Sequence, residues 1–360
     1  MTKARELADL IANVNNGSSL AAKNFIQNGA MNVSQRGTSF SFAHDGITNA
    51  YTLDRFAFIV QNTDEFDGTV TQSSDVPSGK GFANSLKWTT GTAESALASN
   101  EVAYIEHKVE AQNVAGLRYG TADAKPVTLS FWVKSSITGT FNTGIYQSDG
   151  SRIMTKTYTI SSANTWEYKT LTFAGDTSGT INDDNGEGLR PIWNIFAGGD
   201  YTSSDSTSWG SYSTATWAYG HTQNTHATTA GATFFLTGVQ LEIGKATAFE
   251  HEPYSVTLQK CLRYYQKHVG WITQFNRGLD SNYDAHVVNN GVGVIGFMRA
   301  TPTETIDNVY RWDAGDSNWT SDSTAFSAAI SSSSQTFVEG YYGRQDCNAV
   351  KADWELISEL

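Results

Sequence analysis

From Asn24 to about Phe249 the apolar and polar positions alternate in short runs broken by Gly, Asn, Asp and Ser, the period-two pattern of half-buried strands in a sandwich. The clearest run is Val127–Lys134, where Val127, Leu129, Phe131 and Val133 share one face and Thr128, Ser130, Trp132 and Lys134 the other. Further strands are predicted over Glu101–Val109, Thr155–Ile160, Trp166–Phe173, Pro191–Phe196 and Thr233–Ile243. No repeat with a period of about 20 to 50 residues is visible, which argues against a solenoid or propeller.

Two segments switch to helical spacing. Leu7, Leu10, Ile11 and Val14 fall at i, i+3, i+4 and i+7, and Asn15, Asn16 and Gly17 supply a stop, so residues 3–16 read as a short amphipathic helix. A helix of that length is marginal alone. Its stripe needs a cover, and the reading favoured is a peg that docks on a different protein or on sister chains, with packing on its own domain as the plainer choice. After Glu252-Pro253, Leu258, Cys261, Leu262 and Tyr265 repeat at helical spacing, with Ser255 as N-cap candidate and Gly270 beyond the end. Strands return at Val287-Val288, Gly291–Met298, Thr303–Val309 and Lys351–Ile357, and Pro302 suits the start of a strand. The predicted organisation is therefore all-β: an N-terminal amphipathic helix over 1–17, a β-sandwich over 18–252, a connecting helix over 253–270 and a smaller β domain over 271–360.

Composition narrows the function classes. In 360 residues there are 36 acidic and 24 basic side chains, a net charge of -12, so phosphate backbones and anionic membranes repel the chain. Nucleic acid is not an expected partner. The longest apolar runs, such as Phe234-Phe235-Leu236, fall far short of the ~20 residues of a membrane helix, so no membrane insertion is expected. Arg5, Glu6 and Asp9 interrupt any signal-peptide core, and the start is expected to be the mature start. Cys261 and Cys347 are too few for a disulfide framework and read as reduced thiols.

Residues 198–231 form a stretch rich in Ser, Thr and Gly that also carries Tyr201, Trp209, Tyr212, Trp217 and Tyr219. Ordinary connections run to about 4–6 residues, so one of this length with this many rings points to function. Sugar recognition needs flat apolar rings for the C–H faces of pyranoses and neutral groups for their hydroxyls. Trp209, Tyr212, Trp217 and Tyr219 are the candidate platforms, and His221, Gln223, Asn224 and His226 the candidate polar readers. The alternative is that the rings simply fold the loop onto the sandwich. Residues 180–188 concentrate Asn182, Asp183, Asp184, Asn185 and Glu187 around two glycines, oxygen-ligand chemistry that calcium accepts, though an Asx-Gly turn explains it too. Asp64, Glu65 and Asp67 are a weaker case. No GxSxG, HExxH or P-loop motif occurs, and no catalytic residues are expected.

Several segments, in order, resemble a known family. Asn24–Thr38 with Tyr51–Phe56, then Leu117–Thr121 with Val127–Ser135, then Leu236–Gly244 with Phe249-Glu250, and finally Leu258–Tyr265 are similar to the sandwich domains of bacteriophage tail-fibre and related virion proteins. The resemblance implies a jelly roll like that of carbohydrate-binding modules, usually trimeric and displayed on a virion, where avidity multiplies weak contacts with a host surface glycan. It names no ligand. A head-decoration or collar protein using the sandwich as a spacer is the alternative, and a polysaccharide depolymerase the third. Residues 271–360 match only through Met298–Pro302, and Trp271, Phe275, Tyr283, Trp312, Trp319, Tyr341 and Tyr342 there are rival ligand contacts.

Overall fold

The computed structural model describes residues 24–43, 46–274, 298–300, 303–313, 320–321, 326–330, 338–342 and 347–360. The 3–16 helix, with Leu7, Leu10, Ile11 and Val14, lies outside them, as do the strands expected at 287–288 and 291–297. The chain divides into two compact units between Tyr254 and Ser255.

The first unit is a sandwich of two antiparallel sheets. One has six strands in the order β1 (Ser39–Phe42), β4 (Gly68–Ser73), β5 (Ser85–Thr90), β14 (Thr233–Ile243), β8 (Val127–Ser135) and β11 (Glu167–Phe173). The other has β13 (Gly210–Ser211), β10 (Arg152–Ile160), β9 (Gly139–Gln147), β12 (Glu187–Ala197), β6 (Val102–His107), β3 (Phe56–Thr63) and β2 (Gly46–Tyr51), with β7 (Val109–Glu110) paired to β12. The chain crosses repeatedly between sheets, from β3 to β4, β5 to β6, β8 to β9, β10 to β11 and β11 to β12, which is the jelly-roll manner of connection.

Alternation fixes the layers. Val127, Leu129, Phe131 and Val133 of β8 point inward and are fully buried, as the period-two pattern requires. They meet Phe56 and Phe58 of β3, Ile105 of β6, Trp193 of β12 and Phe141 of β9 in one core. Trp88 of β5 is its centre: its ring stacks on Phe58 at 4.3 Å and on Phe66 at 5.3 Å. Short helical turns, α1 (Ala111–Val114) and α2 (Gly199–Thr202), follow β7 and β12.

One irregularity matters for the outer surface. The register of β14 against β8 shifts between Thr237 and Gln240, and Gly238 there has φ of +60°. A Cβ at Gly238 would come within 2.6 Å of the Phe82 ring and 3.0 Å of Trp132 Cδ1, so the absence of a side chain lets Phe82 and Trp132 close over the bulge.

In the second unit the helix is shorter than the sequence pattern predicts. α3 spans Tyr254–Leu262, and Tyr265–Gln274 is a strand, β15. Tyr264 and Tyr265, followed by alternating residues, favour extended backbone, and β15 finds a partner in β20 (Cys347–Ile357). Strand order is β15, β20, β16 (Thr303–Asp313), β17 (Thr320–Ser321), and β18 (Phe326–Ile330) pairs separately with β19 (Val338–Tyr342). Cys261 is buried in α3.

Candidate functional site

Each sheet of the sandwich has an outer face, and the two are treated differently. On the eight-stranded sheet the register aligns Tyr51, Ala57, Glu106, Ile192 and Gly144 in one row, and Ile59, Tyr104 and Asn194 in the next. The 198–231 segment folds over this face. Tyr201, Trp217 and Ala218 join Ile59, Tyr104, Ile153 and Ile192 in a second apolar cluster. Thr155 Oγ1 and Ser206 Oγ, 2.6 Å apart, and the bond from Ser206 Oγ to the Thr216 carbonyl at 2.7 Å hold the segment down.

That packing sorts the sequence candidates. Trp217 is 5% exposed, its ring edge-on to Tyr104 at 5.0 Å, and so offers no face to a sugar. Trp209 is half-buried against the main core, edge-on to Tyr119 at 5.7 Å, and its Nε1 donates to the Ala174 carbonyl at 2.6 Å. The Tyr219 carbonyl accepts from Asn142 Nδ2 at 2.7 Å, and Asn224 Oδ1 accepts from the Ala197 amide at 2.9 Å. His221 and His226 are buried. His221 Nε2 lies 2.7 Å from the Gln223 carbonyl while Nδ1 accepts from the Asn142 amide at 3.2 Å, which assigns a neutral ring with the proton on Nε2. Burial pushes His221 down to about 4, against backbone hydrogen bonds that favour its charge; it pushes His226 down to about 3, helped by the nearby His221. Of the candidate platforms Tyr212 alone is exposed, at 38%.

Tyr212 is not isolated. Its ring stands edge-on to Tyr146 at 5.2 Å and to Trp217 at 5.6 Å, and the Arg190 guanidinium lies 5.2 Å from the Tyr146 centroid. Arg190 donates from Nε and Nη2 to Glu187 at 2.9 and 2.7 Å, while its Nη1 is 3.2 Å from Glu106 Oε2. Lys108 Nζ sits 3.6 Å from Glu106 and 3.9 Å from Glu187. Burial raises the pKa of Glu106 against the pull of Arg190 and Lys108. For Arg190, burial disfavours the charge, but Glu106 and Glu187 outweigh it and keep the guanidinium firmly protonated. Tyr146, Arg190, Glu106 and Tyr51 were not singled out from sequence. Each occupies an outward position of its strand, a phase that becomes readable only once the register across four strands is known.

The six-stranded sheet turns rings outward. Trp132 of β8 lies directly opposite Tyr168 of β11, with ring centres 5.3 Å apart and planes at 45°. Lys80 Nζ stands 5.5 Å from the Trp132 centroid. In the neighbouring row Lys134 lies 4.2 Å from the Phe235 centroid and 5.4 Å from that of Trp166, and Lys87 is 5.5 Å from Phe235 on the other side. Asp75 accepts from Lys134 and, at 3.0 Å, from Trp166 Nε1. Burial acts to raise the Asp75 pKa, and these two donors overcome it and hold the carboxyl below its usual range.

The residues considered for calcium are engaged in other ways. Asp184 Oδ1 accepts from the Gly186 amide at 2.8 Å in an Asx turn, and both Glu187 oxygens face Arg190; Asp183 and Asn185 are exposed. Among the described residues the acidic group that converges is Asp64, Glu94 and Glu101, one ligand oxygen from each lying within 4.8 Å of the others. Burial raises the pKa of Glu94 and of Glu101, and the neighbouring acids add to it. Backbone amides of Glu65 and Phe66 donate to Glu94 Oε1, and that of Ala98 to Glu101 Oε2.

No family model matches the chain, and no curated protein does. Among solved structures it is similar to the enzymatically active domain of tailspike protein 4 of bacteriophage CBA120, at 13% identity and a TM-score of 0.33, covering 61% of this chain and 21% of that one. It is also similar to a putative sugar binding protein from Bacteroides thetaiotaomicron (11% identity, TM-score 0.32, 62% and 100% covered). A third is the family 11 carbohydrate-binding module of Clostridium thermocellum in complex with a mixed-linked tetrasaccharide (10% identity, TM-score 0.29, 59% and 98% covered). The protein is an all-β jelly-roll sandwich with few helices, and its structural neighbours include a phage tailspike domain and carbohydrate-binding modules. Among the described residues no helix is long and apolar enough to cross a membrane.

Proposed function

We propose that the sandwich is a glycan-binding module and that the chain serves as an adhesive subunit, a tail fibre or receptor-binding protein of a virion, without catalysis. The observation that carries the binding reading is the open part of the eight-stranded face. There the half-exposed Tyr146 and the exposed Tyr212 stand edge to face beside an Arg190 guanidinium that Glu187 and Glu106 fix in place. Rings offer apolar flats to sugar C–H groups, and a guanidinium held by two carboxylates keeps a fixed orientation toward hydroxyls. The virion reading is supported by the ordered sequence resemblance to tail-fibre sandwiches. Display as a homotrimer, held to other virion proteins through residues 3–16, would multiply weak sugar contacts.

Glycan arrays probed with the full chain test this. Binding to a host surface polysaccharide is expected, with Tyr212→Ala and Tyr146→Ala each weakening it about ten-fold at unchanged thermal midpoint, and no new reducing ends on incubation. Wild-type affinity in both variants removes the reading. A second reading, a non-adhesive spacer in a head or collar, is favoured by one observation: Trp217, His221 and Asn224 are spent on folding the loop down. Under it, host-cell adsorption is indifferent to Tyr212→Ala.

A further inference from the structure

We propose that the outer face of the six-stranded sheet is a second, separate binding site, and that its ligand is an acidic saccharide whose sugar rings carry carboxylates. The proposal does not rest on the eight-stranded face and uses none of its residues.

Three observations converge. First, Tyr168 is 43% exposed on a regular strand, directly across from Trp132, where an ordinary sheet surface would place small or charged side chains. The bulge at Gly238 keeps this pair in place, since Phe82 and Trp132 both close over a position where a Cβ does not fit. An exposed phenol tilted at 45° to a half-buried indole makes a shallow, rigid, two-sided wall, the shape that grips a pyranose by its C–H face.

Second, the charge at this wall is positive on a chain of net charge -12. Lys80, Lys87 and Lys134 all stand on rings of this face. The carboxylate among them, Asp75, is taken up by Lys134 and by Trp166 Nε1. Lys80 is exposed and forms no ion pair among the described residues, so its ammonium, held 5.5 Å from the Trp132 centroid, is the group left to meet an anion. A neutral saccharide would use the rings and waste that charge; a uronic acid uses both.

Third, neutral hydroxyls continue the face beyond the rings. Thr170 and Thr172 of β11 are exposed in the two rows that follow Tyr168; opposite them Ser130 and Thr128 are buried, and Thr172 Oγ1 pairs with Thr128 Oγ1 at 2.9 Å, which leaves the Thr170 hydroxyl to a ligand.

Polygalacturonate oligomers are a suitable probe, with neutral galactan oligomers of the same length as control, titrated calorimetrically into the full chain at two salt concentrations. The expected result is binding of the acidic oligomer in preference to the neutral one, weakened by salt. Tyr168→Ala should lower the affinity about ten-fold. Lys80→Gln should lower it about three-fold and flatten the salt dependence. Tyr212→Ala should leave it unchanged, so that failure of the eight-stranded face and failure of this one are read independently. Both altered side chains are exposed, and an unchanged thermal midpoint confirms that each variant folds. No binding of the acidic oligomer, equal binding of the neutral one, or wild-type affinity in both Tyr168→Ala and Lys80→Gln overturns the proposal.

Discussion

The two outer faces of this sandwich carry similar side chains to opposite ends. On the eight-stranded face Tyr104 is buried because a long loop folds down on it, burying its own Tyr201 and Trp217 there, and the loop's polar groups bond to the protein. On the six-stranded face Trp132, Trp166 and Tyr168 keep surface exposed, and the partners seated on them are lysines. Backbone supplies the difference. A loop passing over a sheet must satisfy its amides wherever it is buried, so its rings become cover; a strand's amides are already paired, so its outward rings stay available. Aromatic content in a loop is therefore weaker evidence of recognition than an aromatic at an outward strand position.

The largest test of that contrast is Trp217→Ala. Deleting a ring that is 5% exposed and touches Tyr104, Tyr146 and Tyr212 should destabilise the sandwich by about 3–4 kcal/mol, read as a drop in the urea midpoint of the sandwich transition. A loss under ~1 kcal/mol would mean the loop is not cover, and the contrast breaks.

Acid should act next, at the point where the same loop enters the inner core and His226 packs on Phe141 and Phe234. The pKa of His226 is lowered by burial to about 3 from 6.5. Below pH 6.5 the unfolded chain therefore binds a proton that the folded chain refuses, and stability is lost as pH falls from 6.5 toward 3. At pH 5 this amounts to about 2 kcal/mol, since each unit is worth ~1.4. His226→Gln, which keeps a donor near Ser135 Oγ, should be the less stable protein at pH 7 and overtake the wild type on acidification. Glu94, Glu101 and Glu106, raised by burial, change stability in the opposite direction, being most favourable in acid, but they act equally in both proteins and cancel in the comparison. Parallel stability curves for the two proteins between pH 7 and 4 would contradict the buried placement.

Asp75→Asn probes the open face. It leaves Lys134, 8% exposed, without its carboxylate, at a cost of about 1–2 kcal/mol. Adding Lys134→Met should recover most of that loss, because a methionine of similar length packs on Phe235 without a charge to satisfy.

These comparisons also show what the chain reveals unaided. The strand pattern is legible because both sheets bury one face: Val127–Lys134 announces its inward and outward sets by alternation alone, with Trp132 in the outward set, whereas Thr233–Ile243 changes phase at the Gly238 bulge. Sequence proximity misdirected the search for a site. Trp209, Trp217, Tyr219 and Asn224 cluster along the chain, yet the structure sends them to Tyr119, Tyr104, the Asn142 amide and the Ala197 amide in turn. The arrangements that do form, Tyr146 with Tyr212 and Trp132 with Tyr168, join residues of separate segments through strand register. The boundary of α3 was overrun because Tyr265 fits a helical stripe and a strand equally, and only pairing with β20 decides.

The smallest stability effect belongs to Tyr168→Ala, and its smallness is the point. A phenol 43% exposed, with one face on Trp132 and no hydrogen bond needed to hold it, loses little when truncated, so the midpoint should move by less than ~0.5 kcal/mol, in contrast to the several lost at Trp217. Intrinsic fluorescence sharpens the test, since removing the phenol exposes the Trp132 indole and should shift its emission to longer wavelength without any change in the unfolding midpoint. A large loss of stability would instead show that Tyr168 fastens the edge strand β11 to β8 in the way Trp217 fastens its loop. The two faces would then differ in exposure alone and not in role.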